Sequence, residues 1–187
     1  MAWRFFLRII RFEKNVVQKQ RKSKFKPQEI IMKLSFKEGD WVDFDTWTTE
    51  FGVSGQSGIN VSTKNNIIVC VSKTKGDGVP YEDKWYSHEN WDGVRFTGEG
   101  KNGDQQFKKG NKHLEEIKKA FFFRKKKGES RYLYCGVFTL VIETNNHNPR
   151  IEQQDGSDGK KRNVLMFNMK YIDGRYPEKL AEAMKEF

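Results

Sequence analysis

Tyr81–Leu114 reads YEDKWYSHENWDGVRFTGEGKNGDQQFKKGNKHL, and the rest of the chain is arranged around it. Aromatic residues (Tyr81, Trp85, Tyr86, Trp91, Phe96), an acidic pair (Glu82, Asp83) and a glycine-rich turn (Thr97-Gly98-Glu99-Gly100) follow one another without a break. Lys108-Lys109-Gly110-Asn111-Lys112 then adds positive charge. Each residue type meets a separate need of a pocket for a planar, polar ring beside a phosphate-bearing surface. Aromatics offer stacking faces, a carboxylate accepts from an exocyclic amine, and glycines let backbone come close to a ligand.

Short strands flank this stretch. Gly39-Asp40 opens one through Trp41-Val42, and Asp45–Thr49 predicts a helical turn. A strand over Gly58–Val61, a turn at Lys64-Asn65-Asn66 and a buried strand over Ile67–Val71 come next. The Gly-rich loop Lys73–Pro80 leads straight into Tyr81. Val94–Phe96 is a short strand ending at the Thr97-Gly98 turn. The spacing of Leu114, Ile117 and Phe121 predicts a helix over about 107–121, with Glu115 and Lys119 as an i,i+4 pair. Lysines at its start, together with free backbone N–H groups, suit a phosphate. Phe121–Arg124 and Arg131–Glu143 read as a hairpin turning at Lys125–Gly128. Asn145–Lys161 reads as a polar loop with no core, Arg162–Ile172 as a late strand, and Glu178–Phe187 as a helix with Pro177 at its first turn. Many short strands with a few helices predict an α+β fold built on a closed β-barrel.

The chain has 187 residues, enough for one core, and a net charge of +10 that favours a polyanionic partner. Residues 1–33 are set apart by Arg4, Arg8, Arg11, Lys14, Lys19, Arg21, Lys22, Lys24, Lys26 and Lys33 against only Glu13 and Glu29. Three readings of this arm stay open: a phosphate-binding arm, an organelle-targeting segment, or a helix that packs on the barrel and sheds its charges to solvent. Cys70 and Cys135 lie in apolar strand-like runs, as buried free thiols of a reducing compartment do. No apolar run reaches membrane-spanning length.

The ordered series Phe96-Thr97-Gly98-Glu99-Gly100, Gly103-Asp104-Gln105 and Gly110-Asn111-Lys112-His113-Leu114 resembles the SRA (YDG) family of modified-cytosine readers. The likeness is greatest to SRA-like domains at the front of modification-dependent HNH restriction endonucleases. It covers about residues 34–174, leaving the arm 1–33 and a C-terminal helix at 175–187. It implies a PUA-like, twisted β-barrel and a cytosine flipped out of duplex DNA into an aromatic pocket. Carried over residue by residue, Tyr81 and Phe96 would stack on the two faces of the base. Thr97 and Gly98 would line the rim with N–H groups aimed at ring acceptors. Lys101, Lys108, Lys109, Asn111 and Lys112, with Arg4, Arg8 and Arg11 of the arm, would meet the DNA backbone. Two departures from the family pattern matter. The carboxylate that reads the exocyclic amine falls in the family where this chain has Lys84, which leaves Asp83, with Glu82 behind it, as the replacement. The loop Lys101-Asn102-Gly103 is too short to probe the opposite strand, so no strict hemimethylated-CpG preference is expected.

No cofactor is expected. His88, His113 and His147 are scattered, and no cysteine pair has zinc spacing, so the reading is a binding module and not a nuclease. The carboxylates at Asp155 and Asp158 with Lys160 read as a solvated turn in preference to a metal nuclease site. The expected partner is double-stranded DNA carrying 5-methylcytosine or 5-hydroxymethylcytosine, with a nuclease or chromatin effector acting beside it and no membrane. The expected location is intracellular: nucleus if eukaryotic, cytoplasm if bacterial. The alternatives are a PUA-like RNA-binding domain, the DNA-binding part of a restriction nuclease, and an interaction scaffold with a filled pocket.

Overall fold

The computed structural model describes residues 32–74, 79–100, 103–141, 149–156 and 158–187. Residues 34–187 form one compact unit, separate from 1–33. Its elements are β1 (Trp41–Val42), α1 (Phe44–Phe51), β2 (Ile59–Ser62), β3 (Ile67–Lys73), β4 (Lys84–Ser87), β5 (Asp92–Thr97), α2 (Lys109–Ile117), β6 (Lys119–Lys125), β7 (Tyr132–Leu140), β8 (Arg150–Asp155), β9 (Lys161–Tyr171) and α3 (Glu178–Ala183), which tightens into a 3-10 turn at Met184–Glu186. The class is therefore α+β, as expected.

The nine strands among the described residues belong to one sheet, in the order β2-β3-β6-β7-β9-β5-β4, with β1 added to β7 and β8 to β9. β3 and β6 run parallel, and the other pairs are antiparallel. No ladder joins β2 to β4 among the described residues, so the hydrogen-bonded path is open and the expected closed barrel is not formed. Side chains draw the terminal strand β4 back toward the middle of the sheet instead. Trp85 of the terminal strand β4 packs edge-on against Phe122 of β6 and Phe138 of β7, and its Nε1–H donates to Ser72 Oγ of β3 at 3.1 Å.

The triple phenylalanine of β6 shows how the strand period sorts the core. Phe122 points inward to Phe96 and Phe138, whereas Phe121 and Phe123 face Phe51 of α1. A bulge falls between Phe122 and Phe123, opposite Gly136. Gly136 has φ +90°, and a Cβ there would sit 2.9 Å from both Glu38 and Tyr171, so only glycine fits. Cys70 and Cys135 are buried free thiols, and burial pushes both well up from the ordinary thiol range. No helix among the described residues is long and apolar enough to cross a membrane.

Expectations change at β8 and at the end of α2. Arg150–Asp155 is a strand paired along β9, not part of a coreless loop, because β9 supplies a ladder whatever the polarity of its partner. The helix predicted over about 107–121 stops at Ile117, where Lys118 takes the left-handed conformation (φ +59°) and its N–H caps Leu114 O. Lys119 then begins β6, so the Glu115–Lys119 pair does not form on a helix. Lys112 and Glu116 make the i,i+4 contact instead, at 3.7 Å. Asp158 accepts from Arg162 Nη2 at 2.7 Å in the β8–β9 turn.

Candidate nucleic-acid interface

β5 delivers its last residues, Phe96 and Thr97, to a cleft of about 740 Å³. Ser57 and Gly58 before β2, Val71 and Lys73 at the end of β3, Tyr81 and Asp83 before β4, and Lys108 and Lys109 at the start of α2 complete its walls. Thus Tyr81, Asp83, Phe96, Thr97 and Gly98, expected to form a base pocket, share one cleft with two of the expected phosphate-binding lysines.

Asp83 is held from several sides. Its Oδ1 accepts from the Thr97 N–H at 2.6 Å, and the Ser72 hydroxyl also bonds to it. Since Ser72 Oγ accepts from Trp85, its own proton is free to go to Asp83. Burial nevertheless dominates and pushes the Asp83 carboxyl up from 3.8 to about 6, against the pull of these bonds and of Arg124. Arg124 lies over the Trp85 ring at 5.3 Å and over the Phe187 ring at 3.8 Å, with Nη1 on Met184 Sδ at 3.6 Å. Glu82 is exposed, and its backbone carbonyl accepts from Thr97 Oγ1.

The turn after β5 is braced by two buried amides. Gln105 Nε2 donates to Gly98 O at 2.6 Å, while its Oε1 accepts from Leu165 N–H at 2.8 Å. Asn111 Oδ1 accepts from Glu99 N–H at 2.7 Å, and its Nδ2 donates to Glu99 O and Gln106 O. Asp104 takes both the N–H and the Nδ2 of Asn163. A Cβ on Gly98 would lie 2.7 Å from Asn111 Oδ1, which is why the motif needs glycine there.

The expected site residues differ in what they present to the cleft. Asn111 is 2% exposed and fully engaged, so it is an internal brace and not a backbone contact. The N–H groups of Thr97 and Gly98 are not aimed at a ligand: the first serves Asp83 and the second Leu165 O at 2.7 Å. Phe96, 2% exposed, packs edge-on with Phe122 in the core and offers no open face. Tyr81 is also buried, against Val164 and Met166, and its hydroxyl has no hydrogen-bond partner among the described residues. Lys112 lies on α2 but does not line the cleft. Arg4, Arg8, Arg11 and Lys101 lie outside the described residues.

Sequence reasoning passed over Ser72, Lys73 and Phe107. Ser72 had a signal, as the one hydroxyl in the apolar run IIVCVSK. Phe107 is 47% exposed between Gln106 and Lys108, both of which line the cleft. Its exposure could not be told from its spacing.

A family model described as the ScoMcrA-like SRA domain matches residues 41–186. No curated protein matches the chain. Among solved structures it is similar to the sulfur-binding and SRA domains of ScoMcrA complexed with phosphorothioated DNA, with a TM-score of 0.55 and 19% identity over 80% of this chain and 45% of that one. Whole ScoMcrA, a type IV phosphorothioation-dependent restriction endonuclease, gives 0.54 and 19% over 80% and 32% of the two chains. The SRA domain of SUVH5 in a methylated CHH DNA complex gives 0.52 and 26% over 80% and 98%. The chain therefore spans less than half of either ScoMcrA chain and nearly all of the SUVH5 domain.

Proposed function

Because the chain belongs to the ScoMcrA-like SRA domain family, we propose that it binds duplex DNA carrying a modified cytosine and takes that base out of the stack into the cleft beside Asp83. One observation carries the reading: a pinned, partly buried carboxylate in a cleft edged by Lys73, Lys108 and Lys109. An ionised Asp83 accepts from the exocyclic amine of cytosine, a donor that thymine lacks. Extruding a base costs a few kcal/mol. Stacking on an aromatic returns about 1–3 kcal/mol per base.

Tyr81 would supply that stacking by turning out of its contact with Val164 and Met166. Its buried, unpartnered hydroxyl is costly where it stands, so turning outward toward a base restores solvation to it. Phe96 forms the floor from within the core. Phe107, already exposed at the cleft edge, is the apolar side chain positioned to fill the vacated stack, as wedge residues do. The chain acts as a reader, and any cleavage belongs to a nuclease or other effector working with it. Both 5-methylcytosine and 5-hydroxymethylcytosine suit this reading.

The test is a titration against duplexes that differ at one cytosine: unmodified, methylated or hydroxymethylated, each at two salt concentrations. The expected result is a preference for a modified duplex that persists at high salt and vanishes in Tyr81→Ala. Phe107→Ala should weaken duplex binding while leaving binding to a single-stranded modified oligonucleotide unchanged. Equal affinity for all three duplexes, fading together with salt, would overturn base reading.

A further inference from the structure

β3 and β6 run parallel and end together, with Lys73 paired to Lys125. Lys73 also lines the cleft, so the β6–β7 turn leaves the sheet at the end where the cleft opens. That turn is Lys126-Lys127-Gly128-Glu129, and both of its lysines are exposed. It is a fixed turn: Glu129 N–H donates to Lys126 O at 3.1 Å, and Gly128 takes φ +81°. The acid within the turn is already committed. Glu129 Oε1 accepts from the Ser130 and Arg131 N–H groups and lies 3.5 Å from Arg131 Nε. These bonds hold its carboxyl below the usual range. Glu129 thus stays ionised but turned to its own C-terminal neighbours.

From this arrangement we infer that the Lys126-Lys127 turn, with Lys73 beside it, is a second phosphate-gripping surface, separate in the fold from the Lys108-Lys109 start of α2. A duplex that yields one base to the cleft runs on past it in both directions. Cations on two unconnected elements at the cleft can take phosphates on either side of the extruded nucleotide. Such contacts carry no sequence information and set orientation and salt dependence. A rigid turn suits the task, since less side-chain and loop freedom is lost on binding. This inference rests on the proposed DNA reading.

The experiment compares the full chain with K126Q/K127Q and with K119Q, which changes the exposed lysine at the opposite end of the same strand β6. The probe is a duplex of about 20 base pairs with one methylated cytosine, titrated over a salt series. Each phosphate neutralised contributes about 0.9 to the slope of log K against log salt. K126Q/K127Q should therefore flatten the slope by about 1.8 and leave the ratio of methylated to unmodified affinity unchanged, and K119Q should match wild type. Thermal melting of both variants should be unaltered. An unchanged slope in K126Q/K127Q, with the methyl preference intact, would overturn the surface alone. A flattened slope with no methyl preference in wild type would overturn base reading alone. No binding by wild type would overturn both.

Discussion

Asp83 is the residue on which recognition and stability pull in opposite directions. Its carboxyl stands at about 6 in the folded chain against 3.8 in the reference state, with burial as the main cause. Below about pH 4 it is protonated in both states and adds no penalty. As pH rises toward 6 the unfolded chain ionises first, the folded chain binds more protons, and stability falls. Above 6 the loss is constant, at most about 3 kcal/mol from about 1.4 kcal/mol per unit. Asp83→Asn should therefore stabilise the fold by about 1–3 kcal/mol at pH 8 and have little effect near pH 4, measured by denaturant melts at both values. The same variant should lose cytosine reading, because the amide presents a donor where ionised Asp83 only accepts. Wild-type binding to modified duplex should weaken below about pH 6. A melt in which Asp83→Asn destabilises at pH 8 would show that the carboxylate earns its position structurally.

Between the β5 turn and α2, the brace is worth more than any single ligand contact. Asn111 fastens both Glu99 and Gln106, and Gln105 fastens β5's exit to β9. Asn111→Ala leaves three part-buried backbone groups without that partner, and at about 1 kcal/mol each a loss of about 1–3 kcal/mol in denaturant melts is expected. Asn111→Asp should be nearly as harmful, since it cannot donate to the Glu99 and Gln106 carbonyls. Sequence spacing located this element well: the Thr-Gly turn, the Gly-Asp-Gln run and the Gly-Asn-Lys start of α2 are adjacent in space. What spacing could not give was direction. Asn111 reads as an exposed helix-start residue flanked by lysines, yet it turns inward. Its partners, the Glu99 and Gln106 backbone groups, lie only twelve and five residues back, and which way the side chain turns depends on how the β5 turn folds onto α2. The end of α2 was misread for a similar reason, since Lys118 takes a left-handed conformation that its neighbours in sequence do not announce.

At the scale of the molecule, residues 34–187 form a unit with its own core. A chain starting at Leu34 should fold with the melting temperature of the full protein, within a few degrees. If Arg4, Arg8 and Arg11 meet DNA, this truncation should lower affinity at low salt and flatten the salt slope while keeping the methyl preference. A truncated chain with the wild-type slope would remove the arm from the interface. The sequence by itself determined the family, the α+β class, most strand positions and the residues that gather at the cleft. Those follow from local signals: apolar alternation, glycine turns and an ordered set of motifs. Tertiary structure alone decided that the sheet stays open in its hydrogen bonds and that Trp85 ties β4 to β3, β6 and β7. It alone put Ser72 behind Asp83, engaged the Thr97 and Gly98 N–H groups within the protein, and set Lys73 beside Lys125. Each of these depends on which strand lies next to which, and strand neighbours in a nine-stranded sheet are chosen by the packing of the whole core, not by any run of adjacent residues.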